Sequence, residues 1–376
     1  MPRGIVVFGE DWGAHPSSTQ HLVARLARDR DVIWVNSIGL RRPRLDRRDL
    51  GRVVAKLKGA ARSRPPNAAT APPLGGRMTI VEPRAVSWPG SRAARLFNKL
   101  SLGAQLRGAL ARRSMRNPIL WASLPSAVSV VGELGESAVV YYCGDDFGAL
   151  AGVDHGAART MERELVERAG LVLAASAELA ARFPRQRVAL APHGVDFELF
   201  STPAPRAADL PLGRPVAGFY GSLAEWIDVE MLAQAARALP DWTFALIGEV
   251  RADTGPLAGL ANVALLGPRP HRELPSYAQH WDVSLLPFRD TAQIRACNPL
   301  KLREYLAAGA PVAATDFPAL EGYRAHIEVA RGASDFAGAI LRARQGQANV
   351  AARRASVAGE SWDARALFVS QLLERA

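Results

Sequence analysis

The sequence predicts an α/β chain with two doubly wound parallel-sheet domains. Three observations predict it. Short continuous apolar runs recur, each bounded by turn residues, as strands buried on both faces require. Amphipathic segments of helix length alternate with them, the rhythm of βαβ units. An aperiodic stretch rich in Pro, Ala and Gly, residues 199–215, divides the runs into two similar sets. The length of 376 residues, long for one core, suits two.

The first set opens with a strand over residues 4–8 and a helix over 19–29. Further strands follow over 31–36, 78–82, 118–122, 138–142, 171–175 and 188–191. The second set opens with a strand over 216–220 and a helix over 229–239, then strands over 242–247, 263–266, 283–286 and 311–314. Residues 362–376 read as a closing helix. The expected domains are 1–198, a linker 199–215, 216–358, and a C-terminal segment 359–376 that crosses back to the first domain.

The balance of 47 basic against 36 acidic residues gives a net charge of +11, which fits anionic partners. These are nucleotide diphosphates, acidic lipid head groups or nucleic acid; no helix-turn-helix, zinc-finger or RNA-binding signature supports the last, so no nucleic-acid partner is expected. Basic residues crowd Arg41 to Arg64, and Arg107, Arg112, Arg113 and Arg116 extend them, a docking face for an anionic membrane surface. Two distant cysteines, Cys143 and Cys297, give neither a disulfide framework nor a metal-ligand spacing, which implies a reducing cytoplasm. The opening apolar run is too short for a signal peptide, and no later run reaches membrane-spanning length. Any membrane contact is therefore expected to be peripheral.

The densest signal is Asn298-Pro299-Leu300-Lys301-Leu302-Arg303-Glu304-Tyr305-Leu306-Ala307-Ala308-Gly309-Ala310-Pro311-Val312. Asn298 suits a helix cap, Pro299 the first turn and Gly309 a left-handed stop. Free amides at the helix start hold anions, and Lys301 adds positive charge there. Glu304 can accept hydrogen bonds from sugar hydroxyls. A phosphate clamp and a ribose acceptor within one turn suit a nucleotide-sugar.

This block resembles the signature of retaining glycosyltransferases of the GT-B fold, the group 1 family. The resemblance implies two Rossmann-like domains facing a central cleft, with donor contacts from Asn298, Leu300 and Lys301 and ribose binding by Glu304. The family's earlier Glu is Ala296 here. Other segments extend the likeness. The loop Gly9-Glu10-Asp11-Trp12-Gly13-Ala14-His15-Pro16-Ser17 meets donor and acceptor in that family, which makes Gly13, His15 and Ser17 candidates. Tyr141-Tyr142-Cys143-Gly144-Asp145-Asp146 fits the family's Tyr-x-x-x-Asp-Asp pattern, and Asp146 is the candidate that orients the acceptor hydroxyl. A metal-binding Asp-x-Asp reading of Asp145-Asp146 fails on spacing; neither metal nor cofactor is expected. Pro192-His193-Gly194-Val195-Asp196 resembles the motif that closes the first domain.

After the 216–220 strand the family reads Gly-Arg-x-x-x-x-Lys, whereas this chain has Ser222 and Ile227 at the basic positions. Ser222 and turn amides are then the expected phosphate contacts, with Lys301 supplying charge. Arg269, in Gly267-Pro268-Arg269-Pro270-His271, stands where the family packs the donor base. The implied reaction moves a sugar from a nucleotide-diphosphate sugar to a hydroxyl with retention, on a sugar or lipid-linked acceptor, in polysaccharide or glycolipid synthesis. A nucleotide-sugar 2-epimerase of the same fold and a non-catalytic nucleotide-sugar-binding protein are the alternatives.

Overall fold

The computed structural model describes residues 3–14, 17–39, 77–88, 90–150 and 153–376. His15 and the basic run from Arg41 to Arg64 lie outside the described residues. The chain divides into two compact units, Met1–Pro192 with Arg365–Ala376, and His193–Ala364.

The first unit carries a parallel sheet of β1 (Ile5–Phe8), β2 (Val32–Val35), β3 (Met78–Val81), β4 (Ile119–Ala122), β5 (Ala138–Cys143), β6 (Leu171–Ala174) and β7 (Val188–Leu190). Its order is β3-β2-β1-β4-β5-β6-β7. Winding reverses between β1 and β4, so their carboxyl ends flank a switch point, where such sheets bind ligands. Trp34, Trp121, Tyr141 and Tyr142 are buried along these strands, the aromatic mass of the core. The main helices are α1 (Ser18–Leu26), α2 (Arg92–Arg112) and α3 (His155–Arg168), capped by the side chains of Ser17, Ser91 and Asp154.

The second unit repeats the plan with β8 (Val216–Tyr220), β9 (Thr243–Ile247), β10 (Val263–Leu265), β11 (Val283–Leu286), β12 (Val312–Ala314) and β13 (Glu328–Val329). Its strands are parallel in the order β10-β9-β8-β11-β12-β13, with the switch point between β8 and β11. Here α4 (Val229–Ala238) starts at Asp228, whose carboxylate accepts from the Met231 amide at 3.0 Å. Then come α5 (Leu300–Ala308) and α6 (Phe336–Gln345); α7, from Trp362 to Arg375, starts in this unit and from Arg365 on belongs to the first.

Three details differ from the sequence expectation. The division falls after Pro192, because Val195 donates to the Glu360 carbonyl (2.9 Å) and Trp362 donates back to Val195 (3.2 Å). Residues 199–215 pack inside the second unit. Gln279 donates to the carbonyls of Phe200 and Thr202 at 2.8 and 2.7 Å, and Arg206 donates to those of His280 and Pro211 at 2.9 and 2.7 Å. A proline-rich segment is poor in backbone donors, so side chains satisfy its carbonyls, Gln279 from outside it and Arg206 from within. Strand β13 spans only two residues, too short for a periodic signal.

The last residues join the first unit. Arg30 is buried there, its Nη2 2.7 Å from Ser370 Oγ and 2.5 Å from Glu374 Oε1. Arg3 donates to the Leu373 carbonyl at 2.6 Å. Among the described residues no helix is long and apolar enough to cross a membrane.

Candidate functional site

In the second unit glycines follow three adjacent strands: Gly221 after β8, which borders the switch point, Gly248 after β9 and Gly267 just past β10. Their φ values of 136°, 144° and 72° exclude ordinary side chains. A Cβ on Gly248 would lie 2.0 Å from the Gly221 carbonyl oxygen, so two backbones meet there. A Cβ on Gly221 would lie 2.3 Å from Lys301 Cε and 2.9 Å from Nζ. The lysine stem therefore lies across bare backbone at the carboxyl end of β8.

Lys301 enters from the first turn of α5. The structure corrects the capping expectation at this helix. Pro299 is its N-cap residue and no side chain caps it, while Asn298 Oδ1 accepts from the His193 amide at 3.2 Å. The first-turn amides of Leu300 and Lys301 thus lack a side-chain acceptor, and they carry the positive end of the helix dipole. Burial pushes the Lys301 ammonium below its ordinary value, against the pull of Glu304 and Cys297. Among the described residues Lys301 makes no ion pair. A charge held this way gains from an anion's arrival.

Glu304 is one turn further and buried. Tyr220 Oη donates to its Oε2 at 2.7 Å, and His271 Nε2 lies 2.8 Å from Oε1. Burial pushes this carboxyl up; His271, Tyr220 and Lys301 together outweigh that and hold it below the ordinary value. Burial pushes His271 down, and the Glu304 charge with its hydrogen bond wins, so the imidazole sits above its ordinary value. Each oxygen keeps a further acceptor site, since a carboxylate offers about four. Aromatic packing fixes the group. The Tyr220 ring stacks on Trp281 at 5.9 Å, Phe200 meets His271 edge-on at 5.4 Å, and Tyr305 Oη accepts from the Tyr220 amide at 3.2 Å.

Ser222 follows Gly221 in the same turn and is half-buried. Arg269 stands two residues before His271: its Nε donates to Tyr277 Oη at 3.0 Å and its Nη2 to Asp209 Oδ2 at 2.5 Å. Two groups of the protein, Tyr277 and Asp209, hold that guanidinium in place.

The first unit has its own polar cluster, beyond β1 and β5. Gly13, at φ 79°, donates its amide to Gln20 Oε1 at 3.1 Å. Ser17 caps α1 and donates its hydroxyl to Glu10 Oε1. Gln20 Nε2 also reaches Glu10 Oε1, at 3.2 Å. Burial, with Asp145 and Asp11 adding like charge, pushes the Glu10 carboxyl up to about 7 against its backbone and Gln20 hydrogen bonds. Asp146 is anchored by Arg182 Nη1 at 2.9 Å and by the Gly148 amide at 2.9 Å. Arg182 in turn pairs with Glu162 at 2.7 Å, and Tyr141 Oη donates to Glu162 at 2.7 Å. The neighbouring Asp145 is exposed.

Gly221, Ser222, Asn298, Leu300, Lys301 and Glu304 thus occupy the second unit's β8 turn and the start of α5, and Gly13 and Asp146 belong to the first unit. Sequence reading missed His271 and Tyr220, which lie 33 and 84 residues from Glu304. It also missed Glu10. A usable signal existed for Tyr220 and Glu10, since both stand at or just past the carboxyl end of a strand beside a switch point.

Residues 214–345 match the family model described as Glycosyl transferases group 1. A Bacillus subtilis (strain 168) protein that carries the name teichuronic acid biosynthesis glycosyltransferase TuaH is 30% identical over 221 residues. That alignment covers 53% of this chain and 55% of the relative, so the chain spans about half the length of the curated relative it matches. The sucrose-phosphate synthase of Thermosynechococcus elongatus superposes with a TM-score of 0.70 at 16% identity, covering 99% of this chain and 98% of the other. Anabaena HepE, in complex with UDP, superposes with a TM-score of 0.67 at 14% identity, covering 99% and 100%. The fold is of this GT-B type, two parallel-sheet α/β domains.

Proposed function

We propose that the chain is a glycosyltransferase that moves a sugar from a nucleotide-diphosphate sugar to a hydroxyl acceptor, with retention at the anomeric carbon. Polysaccharide or glycolipid synthesis in the cytoplasm is the setting. The observation that carries the reading is Lys301 lying over Gly221 beside the uncapped start of α5. The match of residues 214–345 to group 1 glycosyltransferases supports it, as does the relative named for teichuronic acid biosynthesis. HepE in complex with UDP-glucose supports a nucleotide-sugar as donor.

In this reading the diphosphate sits against Gly221 and Ser222. The Lys301 ammonium and the amides of Leu300 and Lys301 receive the charge that develops as the sugar–phosphate bond breaks. Fixed donors aimed at developing charge lower the barrier without reorganising. Glu304, held charged by His271 and Tyr220, accepts from the ribose hydroxyls. Asn298 shapes the entrance to α5, and the loop of Arg269 borders the base. In the first unit Gly13, His15, Glu10 and the Asp145-Asp146 pair are assigned to the acceptor, with Asp146 orienting its hydroxyl. Glu10, poised near neutrality, can exchange a proton with that hydroxyl. The nucleotide-sugar is a substrate, and the proposal includes neither resident cofactor nor metal.

The test is a panel of nucleotide-sugars incubated with the protein, with and without a membrane extract as acceptor source. Acceptor-dependent release of nucleoside diphosphate, with the donor's anomeric configuration kept in the product, is expected. Conversion of the donor to its epimer, or binding without turnover, contradicts the proposal.

A further inference from the structure

Helix α2 (Arg92–Arg112) has two apolar faces and only one is packed. Leu102, Leu106, Ala109 and Leu110 are buried with Ala94. On another stretch of the helix Leu96, Phe97 and Leu100 are 59%, 43% and 63% exposed, and Trp88, on the approach, is 52% exposed. The spacing of 96, 97 and 100 places three large side chains on one helical stripe. Isolated exposed apolar residues need no explanation, but these four crowd into residues 88–100.

The charge around the stripe is one-sided. Between Glu82 and Glu133 the sequence holds eight basic residues and no acidic one. Lys99 is paired with Glu133 at 2.8 Å and Arg95 with Glu164, which leaves Arg84, Arg92, Arg107, Arg112 and Arg116 as the exposed cations of the segment. An exposed stripe of Trp, Phe and Leu on a segment whose unpaired exposed charges are all arginines has the composition of a helix that lies in a lipid interface.

We propose that this face of α2, led by Trp88, docks the first unit on an anionic lipid surface. The apolar side chains enter the boundary between head groups and acyl chains, and the arginines pair with lipid phosphates. A second copy of the chain is the poorer occupant, because two segments of the same sign would oppose each other. The surface shares Arg107, Arg112 and Arg116 with the basic face that the sequence suggested, and its apolar stripe and Arg92 lie apart from the Arg41–Arg64 run. It involves no residue assigned to donor or acceptor, so it stands or falls apart from the proposed function.

The experiment is cosedimentation of the full chain with vesicles of phosphatidylglycerol mixed with phosphatidylcholine, and with phosphatidylcholine alone. Binding to the anionic vesicles is expected, weakened by salt. The combined Leu96→Ser, Phe97→Ser and Leu100→Ser variant should lose about tenfold or more in partition, because buried apolar area sets interfacial affinity. Arg92→Gln with Arg112→Gln should weaken binding to anionic vesicles only. Exposed positions should leave the melting temperature unchanged, which checks folding. Equal partition of wild type and triple variant overturns the proposal. So does a triple variant that converts a dimer to a monomer while neither protein binds vesicles.

Discussion

Glu304 carries the donor side of the account as a single residue. A buried carboxylate is costly unless its partners keep it ionised, and His271 and Tyr220 do so at 2.8 and 2.7 Å. The two titrations have opposite signs. Glu304 lies below its ordinary 4.5, so its contribution is present above that pH and lost as pH falls through the lowered value. His271 lies above its ordinary 6.5, so its contribution is complete below 6.5 and lost as pH rises through the raised value. Urea unfolding of wild type should therefore be most stable in the window between them. His271→Asn should cost roughly 3 kcal/mol in that window and abolish the alkaline decline. An unchanged alkaline limb in the variant would show that the pair does not form. Glu10 makes a second residue-scale prediction. Its carboxyl is raised to about 7, so folding favours its protonated form, and stability falls as pH rises from 4.5 toward 7. Glu10→Gln should flatten that slope, followed by melting temperature against pH. Neither behaviour was legible in the sequence. Lys301 and Glu304 stood out through local spacing, whereas His271 and Glu10 take their character from partners that only the fold brings near.

At the scale of elements, strands were legible because burial imposes a period, and each expected strand is present within a residue or two; the long helices Arg92–Arg112 and His155–Arg168 were not singled out. What the period does not carry is how strand ends approach one another. The backbones of Gly221 and Gly248 touch, and Lys301 lies across the first. Gly248→Ala should cost several kcal/mol, because the clash is with backbone and φ is positive. Gly221→Ala should be milder for folding, since part of its clash is with a lysine side chain, while still displacing Lys301 and weakening nucleotide diphosphate binding. Chemical denaturation and a binding titration on both variants separate the two effects. The capping of α5 misled for a related reason. Asn298 is a good cap by residue type, but its side-chain Oδ1 accepts from the His193 amide, 105 residues away in sequence.

For the whole molecule, the alternation of strands and helices told of two domains, and the sheet orders bear the fold out. The linker did not behave as composition suggested, because a proline-rich stretch can be as well satisfied as a helix when neighbouring side chains serve its carbonyls. The final residues belong to the first unit and shield Arg30, which is 1% exposed. Removing residues 365–376 should strip Arg30 of Ser370 and Glu374 and destabilise that unit by about 3 kcal/mol or more. A truncated chain that unfolds at the same denaturant concentration would refute this packing. The grip of Lys301 on a diphosphate is measured by calorimetric titration of the full chain with nucleoside diphosphates, UDP first, for wild type and Lys301→Ala. Wild type should bind saturably, and the variant roughly tenfold to a hundredfold more weakly with no loss of melting temperature. Equal affinity in both proteins, or no binding of any nucleoside diphosphate, would contradict that grip.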